Sequence, residues 1–494
     1  MNSVYMQKAN IKENKLYEAF KQQITQDDLE QFLSDRKDVL SDSAPQYLAL
    51  SISISPVDAL AAIEQDPNKE GFQYYWEKPV DQFSMAASGE IERIVTTGEN
   101  RFRVSSQKGK EILSRVHHLS GINHRNAVVH LFGGFSFFDS EPESEWEAFK
   151  SASFTLPRWM IIREGNSTIL TFITEMVKDQ NFDELEDSII KQLDELSCIC
   201  DRDQYLQPDD LDRSLKYTNP DEYSSEHDQW VQAIEQATDK IKANEFRKVV
   251  LARKLSIPLS EEISDTRILN QLRKQYPDCY SFLIRQDDES SFIGSTPERL
   301  ASFNSEFVLT EGLAGSTSRG KTASEDAMLE NALMQSPKDL EEHEIVLNAI
   351  SENLTDYSDK VLHPAHPQIK KLSNVQHLFT PITAQIKKGV SRTEMLKTLH
   401  PTPAVGGFPR NKAVQFIRET EDFERGWYAS PIGWINAHGN GEFVVAIRSG
   451  LIKKDEVQFF AGCGIVEDSD PEKEWEETNL KFIPMLSALE YAGT

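Results

Sequence analysis

Cysteine is scarce in this chain of 494 residues, which contains four: Cys198, Cys200, Cys279 and Cys463. Four scattered thiols do not make the framework of a disulfide-stabilised protein. The pair Cys198-x-Cys200 has no second Cys or His pair at zinc-finger spacing, so packed thiols are favoured over a zinc site.

Long apolar runs and excess positive charge are missing as well. No run of roughly 18 apolar residues occurs, and the N-terminal stretch lacks the apolar core of a secretory signal, so we expect a cytoplasmic protein without membrane spans. The chain has 53 Lys and Arg residues against 80 Asp and Glu residues, a net charge of -27. This charge repels nucleic acids and anionic membranes, so a site for an anionic substrate must supply its own cations.

The most polar long stretch runs from residue 201 to residue 228 and is rich in Asp, Pro, Asn and Ser. Such a composition is typical of a connection. The sequence therefore predicts an N-terminal α+β half, residues 1–215, and a C-terminal half, residues 216–494. We expect the first half to be structural and to interleave with the second, which carries the patterns described below.

Periodicity in the N-terminal half predicts helical segments over residues 15–33 and strands that begin at Tyr47, Arg101 and Val128. The pair Gly133-Gly134 inside the last strand indicates a bulge or a close approach of two backbones. We find no catalytic pattern in this half.

In the C-terminal half, short apolar strands alternate with tight turns, which is typical of antiparallel sheet with helices packed alongside. This order indicates an α+β fold and not a doubly wound one. The predicted elements are a helix over residues 229–244, strands that begin at Phe246, Cys279, Ser291, Gly433 and Val457, and helices that begin at Ser324 and Asp470.

Glutamates crowd one stretch near the C-terminus, SDPEKEWEETNLKF, at Glu472, Glu474, Glu476 and Glu477. Asp470 as N-cap and Pro471 at the first helical position predict a helix there. Helical spacing puts Glu474, Glu477 and Lys481 in one stripe, nearly opposite the apolar stripe. A solvated outer face and a functional site both explain this pattern.

A second acidic helix is predicted in SPKDLEEHEIVLNAISENL, where Asp339 and Glu342 share a stripe with Val346. Its acidic face is therefore not uniformly polar, as expected at the edge of a core or in a cleft. Two helices with acids at i and i+3 offer the oxygen ligands that Mg²⁺ takes, one or two carboxylates with several waters. The sequence leaves open whether the two helices meet.

Three charged residues accompany apolar strands. Lys248 is either a buried general base with a lowered pKa or a lysine whose ammonium group reaches water from the strand end. Glu298 follows a strand in GSTPERL, in a loop position that suits chemistry or in a surface ion pair with Arg299. Arg448 ends the strand FVVAIRSG and is suited to binding a carboxylate through two hydrogen bonds.

Eight segments, in this order, resemble the chorismate-utilising enzymes: KVVLAR, GSTPERL, LAGSTSRG, KDLEEHEIV, NVQHL, HPTPAVGG, VAIRSG and AGCGIVEDSDPEKEWEET. This family includes isochorismate synthases, salicylate synthases, and the large subunits of anthranilate and aminodeoxychorismate synthases. The resemblance is dense from about Phe246 to the C-terminus and looser before it. It implies large antiparallel sheets packed as a sandwich with flanking helices, a deep site for chorismate, and Mg²⁺ as cofactor.

The resemblance also implies the metal ligands. Mg²⁺ is expected to bridge Glu342 and Glu477 to the ring carboxylate of chorismate, while Asp339 and Glu474 hold metal-bound waters. Lys481 is expected to offset the crowded negative charge. The other two glutamates of the closing stretch are then solvated.

For the substrate, the resemblance implies that Arg448, Tyr428 and the backbone of Gly462 and Gly464 hold the carboxylates. His377 of NVQHL is expected to line the ring pocket. None of the glycine-bearing loops matches a nucleotide-binding pattern.

In its position, Lys248 resembles the lysine that distinguishes the family members that use water as the nucleophile. In that branch the lysine removes a proton from a water that attacks C2, and Glu298 as general acid protonates the departing C4 hydroxyl group, which yields isochorismate. Ala404 stands where lyase-competent salicylate synthases tend to carry Thr, which favours stopping at isochorismate. HPTPAVGG and the long N-terminal half resemble the menaquinone-pathway isochorismate synthases.

Several alternatives stay open at this point. The chain could be a salicylate synthase, an ammonia-using anthranilate or aminodeoxychorismate synthase component, or a siderophore-pathway isochorismate synthase. A catalytically inactive relative that binds chorismate without turnover is the non-enzymatic alternative. We expect a monomer or a weak homodimer, with a small-molecule substrate as its partner.

Overall fold

The computed structural model describes residues 14–36, 44–67, 71–177, 181–200, 224–259, 263–371 and 375–492, which form 20 strands and 12 helices. The predicted boundary near residue 215 lies outside these ranges, so the division into two halves stays a prediction. Strands from both sides of it pair with each other: Tyr74 lies opposite Ile284, and Gly133 lies opposite Gly433.

The strands are β1 Gln46–Ser53, β2 Gln73–Lys78, β3 Phe83–Thr96, β4 Val116–Ser120, β5 His130–Phe135, β6 Ala152–Glu164, β7 Ser167–Met176, β8 Lys248–Pro258, β9 Tyr280–Arg285, β10 Ser290–Thr296, β11 Arg299–Phe303, β12 Phe307–Ser318, β13 Ser358–Leu362, β14 Gln368–Lys371, β15 Val375–Ile386, β16 Gly407–Phe408, β17 Pro431–Asn436, β18 Gly441–Val445, β19 Ser449–Lys453 and β20 Glu456–Ile465.

The helices are α1 Lys15–Gln23, α2 Gln26–Arg36, α3 Ala59–Gln65, α4 Arg101–Ser114, α5 Phe182–Cys200, α6 Ser224–Lys242, α7 Asp265–Gln275, α8 Ala323–Gln335, α9 Pro337–Thr355, α10 Arg392–Leu399, α11 Arg410–Thr420 and α12 Pro471–Ala492. None of these helices combines the length and the apolarity that a membrane-spanning helix needs.

Hydrogen bonds link the 20 strands into one continuous sheet, which is antiparallel apart from the parallel pair β1·β4. The sheet folds over on itself. The hydroxyl group of Tyr280 in β9 donates to Glu442 in β18 at 2.9 Å, although β2, β3, β6, β5 and β17 lie between these two strands in the order of pairing. The two layers that result confirm the predicted α+β fold with an antiparallel sandwich.

Side chains alternate between two hydrophobic cores. In β2, Tyr74 and Trp76 lie in the core between the layers, whereas Tyr75 lies in a second core on the outer face. Helices α7 and α12 cover that outer face with Leu269 and Phe482, among others. Both faces of the central strands are therefore buried, which explains their nearly continuous apolar runs.

Strands β8 and β20 are paired over ten residues, from Val249 opposite Ile465 to Pro258 opposite Glu456. Helix α12 follows β20 after a short turn. Its N-cap is confirmed, because the Asp470 carboxylate accepts a hydrogen bond from the backbone N–H of Lys473 at 3.1 Å. The register of this strand pair thus sets where α12 begins.

A buried ion pair fixes β8 to the loop over residues 401–406. Arg425 and Glu421 are 1% and 4% exposed, and their contact satisfies both charges. The Arg425 guanidinium also donates to the carbonyl oxygens of Val405 at 3.1 Å and Val250 at 2.9 Å. Glu421 accepts from the backbone N–H of Ala252 at 2.8 Å.

One predicted element of the N-terminal half is wrong. The segment from Arg101 is the helix α4 and not a strand, because its buried residues Phe102, Ser105, Gly109 and Ile112 recur every three or four positions. The helical segments predicted over residues 15–33 are confirmed as α1 and α2, which Ile24 separates. The close approach at Gly133 is confirmed: a Cβ there would lie 1.9 Å from the carbonyl oxygen of Ser153.

Candidate active site

Lys248 begins β8 and is 7% exposed. Its ammonium group donates to Glu342 of α9 at 2.6 Å. Gly464 of β20 makes room for it, because a Cβ at that position would lie 2.7 Å from Lys248 Cε. The interpretation of Lys248 as a lysine that reaches water from the strand end is therefore wrong.

Glu298 lies in the turn between β10 and β11 and is 7% exposed. Its backbone N–H donates to the Thr296 hydroxyl at 3.2 Å, and its carbonyl oxygen accepts from the N–H of Val445 at 3.0 Å. The alternative of a surface ion pair with Arg299 is wrong, since that guanidinium instead lies 3.7 Å from Glu311.

The pKa of the Glu298 carboxyl group is raised to about 7, chiefly by burial and secondly by the negative charge of Glu311. Lys370, Lys248 and Arg448 act in the opposite direction. The group therefore keeps its proton to nearly neutral pH, as a general acid requires.

Helix α9 presents Asp339 and Glu342. Its N-cap is Ser336, whose hydroxyl accepts from the backbone N–H of Asp339 at 3.3 Å. Asp339 packs on β12, where a Cβ at Gly315 would lie 3.1 Å from the Asp339 Cβ. Burial acts to raise the pKa of Glu342, but the contact with Lys248 outweighs it and the pKa is lowered.

Helix α12 presents Glu474, Glu477 and Lys481. The Lys481 ammonium group donates to Glu477 at 2.6 Å and to the carbonyl oxygen of Gly462 at 2.8 Å, which ties the helix to β20. Its charge also acts on Glu342 of α9. The two acidic helices therefore face the same region beside β8 and β20, the point that the sequence left open.

Glu472 and Glu476 of α12 are exposed, as predicted, and Glu472 lies 3.1 Å from His227. The Glu477 side chain is 49% exposed as well. Glu474 is half-buried, and its pKa is raised by burial and further by the neighbouring charge of Glu477. Negative charge is thus in excess on this face of the helix.

Arg448 does not end a strand, contrary to the prediction. It lies between β18 and β19 with φ of 51°, a left-handed conformation that is uncommon outside glycine. Burial lowers its pKa, and its charge acts on Tyr428, Glu477 and Glu298. The charge of Arg448 therefore reaches both Glu298 and Glu477.

Two further predicted residues, Tyr428 and His377, lie within reach of the Arg448 charge. Tyr428 is buried, and burial raises the pKa of its phenol. His377 lies with Nδ1 2.6 Å from the Ser316 hydroxyl. Burial, with the charges of Arg448 and Lys481 next in order, lowers the pKa of His377 to about 3, so its imidazole is neutral at physiological pH.

Ala404 is half-buried in the loop over residues 401–406. That loop runs beside β8, where the backbone N–H of Val250 donates to the carbonyl oxygen of Gly406 at 3.1 Å. The structure thus places Ala404 two residues from a direct contact with the strand that carries Lys248.

No three His, Cys, Asp or Glu side chains of the described ranges gather closely enough to enclose a metal ion by themselves. Glu342 and Glu477 are each paired with a lysine at 2.6 Å. A site built on these two carboxylates would complete its coordination with other oxygens, as Mg²⁺ sites do with water and substrate.

Two charged residues behind Glu298, Glu311 in β12 and Lys370 in β14, do not appear among the residues that the sequence analysis selects. The sequence does offer a signal for Glu311, which is the one charged residue in the segment EGLAG, among small and apolar neighbours. Lys370 lies in a strand of four residues with no periodicity to read.

Comparisons with known proteins identify the family. A family model described as chorismate binding enzyme matches residues 31–490. The isochorismate synthase MenF of Bacillus subtilis is 34% identical, over 90% of this chain and 93% of its own. The salicylate biosynthesis isochorismate synthase of Pseudomonas aeruginosa is also 34% identical, over 91% of both chains.

Solved structures of similar fold match most of this chain. The menaquinone-specific isochorismate synthase MenF from Escherichia coli has a TM-score of 0.73 and 26% identity, over 93% of this chain and 98% of its own. Anthranilate synthase component I from Streptococcus pneumoniae, with a TM-score of 0.66 and 20% identity over 82% of this chain and 92% of its own, shares the fold. This chain belongs to the family of chorismate binding enzymes.

Proposed function

We propose that this protein is an isochorismate synthase. It converts chorismate to isochorismate by adding water at C2 and releasing the C4 hydroxyl group, for menaquinone biosynthesis. The observation that carries the proposal is a buried lysine and a buried carboxyl group with a pKa of about 7 in one site, Lys248 and Glu298. Relatives named isochorismate synthase that align over 90% or more of this chain support it.

Glu298 supplies the acid. Because its pKa is raised to about 7, a large fraction of the carboxyl groups carries a proton at neutral pH. That proton passes to the C4 hydroxyl oxygen as its bond to carbon breaks, so that the group leaves as water.

Lys248 supplies the base. To act as a base it must be the neutral amine, so the ammonium group that donates to Glu342 at 2.6 Å first gives up a proton to solvent. It then takes a proton from the water that bonds to C2. One proton is gained by Lys248 and one is lost by Glu298, and exchange with solvent restores both groups.

The substrate is a dicarboxylate, and the chain carries a net charge of -27. Local cations must therefore bind it. We assign this role to Arg448, whose guanidinium suits a carboxylate, with Tyr428 and the backbone of Gly462 and Gly464. The neutral His377 lines the ring pocket.

We further propose that Mg²⁺ is held by Glu342 and Glu477, with Asp339 and Glu474 on its waters. The carboxylate oxygens fit a hard cation, and Glu474 and Glu477 lie three positions apart on one helix, where a cation would relieve their mutual repulsion. When bound, the ion would neutralise this charge and hold the ring carboxylate. Lys481 limits the repulsion between the carboxylates.

We assign the chemistry to the half over residues 216–494, because every residue with a proposed role lies at position 248 or later. The half over residues 1–215 contributes strands to the shared sheet. We propose a cytoplasmic enzyme, a monomer or weak homodimer, that acts on a small molecule. Ala404 leads us to expect that the reaction stops at isochorismate.

Product analysis tests the function. The purified protein is incubated with chorismate and Mg²⁺, with one arm containing EDTA and another containing ammonium, and the products are separated by chromatography. We expect isochorismate only, and only when Mg²⁺ is present. Salicylate with pyruvate, or an aminated product, would assign the chain to another branch of the family.

Lys248→Ala is expected to lower kcat by about 10²–10⁴-fold while chorismate still binds, because the base is lost and the other contacts remain. Lys254→Ala is the matched control, since this lysine lies in the same strand but pairs with Glu145 at 3.1 Å. Turnover of Lys248→Ala close to that of the control would refute the base assignment.

Glu477→Gln is expected to raise the Mg²⁺ concentration for half-maximal activity by about tenfold or more, because a charged oxygen ligand is lost. Glu476→Gln removes the neighbouring exposed carboxylate and should leave that concentration unchanged. Equal Mg²⁺ titrations for the two variants would return Glu477 to the solvated face.

The pH dependence of kcat/KM should show an alkaline limb centred near the pKa of Glu298, about 7. The pKa of this acid is raised, so its proton is present below that value and is lost as the pH rises through it. Rates measured from about pH 5 to 10 in the free-enzyme regime check this. A kcat/KM that stays level well above neutral pH would exclude Glu298 as the acid.

A further inference from the structure

The turn that carries Glu298 is held from behind by two charged residues on different strands. Glu311 of β12 accepts a hydrogen bond from the backbone N–H of Arg299 at 3.2 Å. Lys370 of β14 donates to the carbonyl oxygen of Pro297 at 3.3 Å and to Glu311 at 2.8 Å. The pair thus binds the peptide groups immediately before and after Glu298.

The Glu311 side chain is 4% exposed. A carboxylate so deeply buried is costly unless it is paired. Lys370 provides the close partner, and the Arg299 guanidinium lies 3.7 Å away as a second. Because Lys370 makes the shortest contact with Glu311 and both also bind the turn, the two act as one unit.

Charged groups face Glu298 from four parts of the chain: Glu311 in β12, Lys370 in β14, Lys248 in β8, and Arg448 before β19. Of these, Glu311 alone carries negative charge. Two carboxyl groups in one buried region oppose each other's ionisation, so Glu311 favours a proton on Glu298, whereas Lys370 disfavours it.

We propose that Glu311 and Lys370 are positioning residues for the proton donor: they fix the backbone on both sides of Glu298, and their opposite charges act in opposite directions on its carboxyl group. The proposal rests on the assignment of Glu298 as the acid of the isochorismate synthase reaction. Neither residue is expected to touch substrate.

The sign of the charge separates this role from a purely structural one. Glu311→Gln removes the negative charge but keeps an oxygen that can accept from the Arg299 N–H, so the alkaline limb should move down by about one pH unit. Lys370→Met removes the positive charge, so the limb should move up. The double variant restores the balance and should return the limb towards the wild-type position.

Lys371→Met is the matched control. This lysine is the next residue of β14, but it pairs with Asp326 at 3.1 Å and with Glu330 at 2.7 Å. Its replacement tests the removal of a charged side chain from the same strand, and the limb should not move. We call the pair of Glu311 and Lys370 the clamp. If the clamp contributed only packing, Glu311→Gln and Lys370→Met would lower kcat without moving the limb in opposite directions.

A second readout does not depend on turnover. The pKa of Glu298 is measured from the infrared C=O band of its protonated carboxyl group, which is assigned as the band that Glu298→Gln lacks. We expect this pKa to fall in Glu311→Gln and to rise in Lys370→Met. Should Glu311→Gln fail to fold, the proposal is tested by Lys370→Met alone: a rise in the pKa of Glu298 supports it, and a fall or no change overturns it.

Unchanged values, or shifts of the same sign in both variants, would overturn the proposal. If chorismate is not converted but the infrared shifts appear with opposite signs, the proposed function fails and the electrostatic clamp stands. If chorismate is converted and the infrared pKa does not move, the clamp fails and the function stands.

Discussion

The pairing of β8 with β20 is the constraint on which the site depends. Its ten-residue register puts Gly464 opposite Val250, on the face from which Lys248 also projects, and the missing Cβ leaves the lysine its place. The same strand leads into α12, which carries the second acidic face. Because side chains alternate along a strand, a slip of one residue would turn Lys248 away from the site and move α12 with it.

Two lysines then fix the helices to that strand pair. Lys248 joins β8 to Glu342 of α9, and Lys481 of α12 reaches both Glu477 and the carbonyl oxygen of Gly462 in β20. A buried charge without a partner is costly, so Lys248 favours the arrangement that brings Glu342 close. The electrostatics of the site and the docking of α9 are therefore one problem.

The features of the site that the sequence predicts are those that depend on residues close together along the chain. The N-cap Asp470 and the helical stripe of Glu474, Glu477 and Lys481 follow from spacing, and the antiparallel strands follow from short apolar runs between turns. Contacts between distant segments are different. The placement of α9 and α12 on the same side of β8 and β20, the contact of Glu311 with Lys370, and the left-handed φ of Arg448 are set by tertiary packing, which spacing does not encode. The strand predicted from Arg101 is wrong because too short a window was considered. Its six residues have a strand-like composition but belong to a longer helix, whose buried positions recur at helical spacing.

The proposed acid and base each lie beside a carboxylate from another element. Burial is the chief reason why the pKa of Glu298 is raised, and Glu311 of β12 adds to it, while Glu342 of α9 accepts a hydrogen bond from the Lys248 ammonium group at 2.6 Å. In the proposed reaction Glu298 loses a proton and Lys248 gains one, so each carboxylate faces a group whose charge changes during turnover. The packing of β12 and α9 against the site therefore sets its electrostatics as well as its shape.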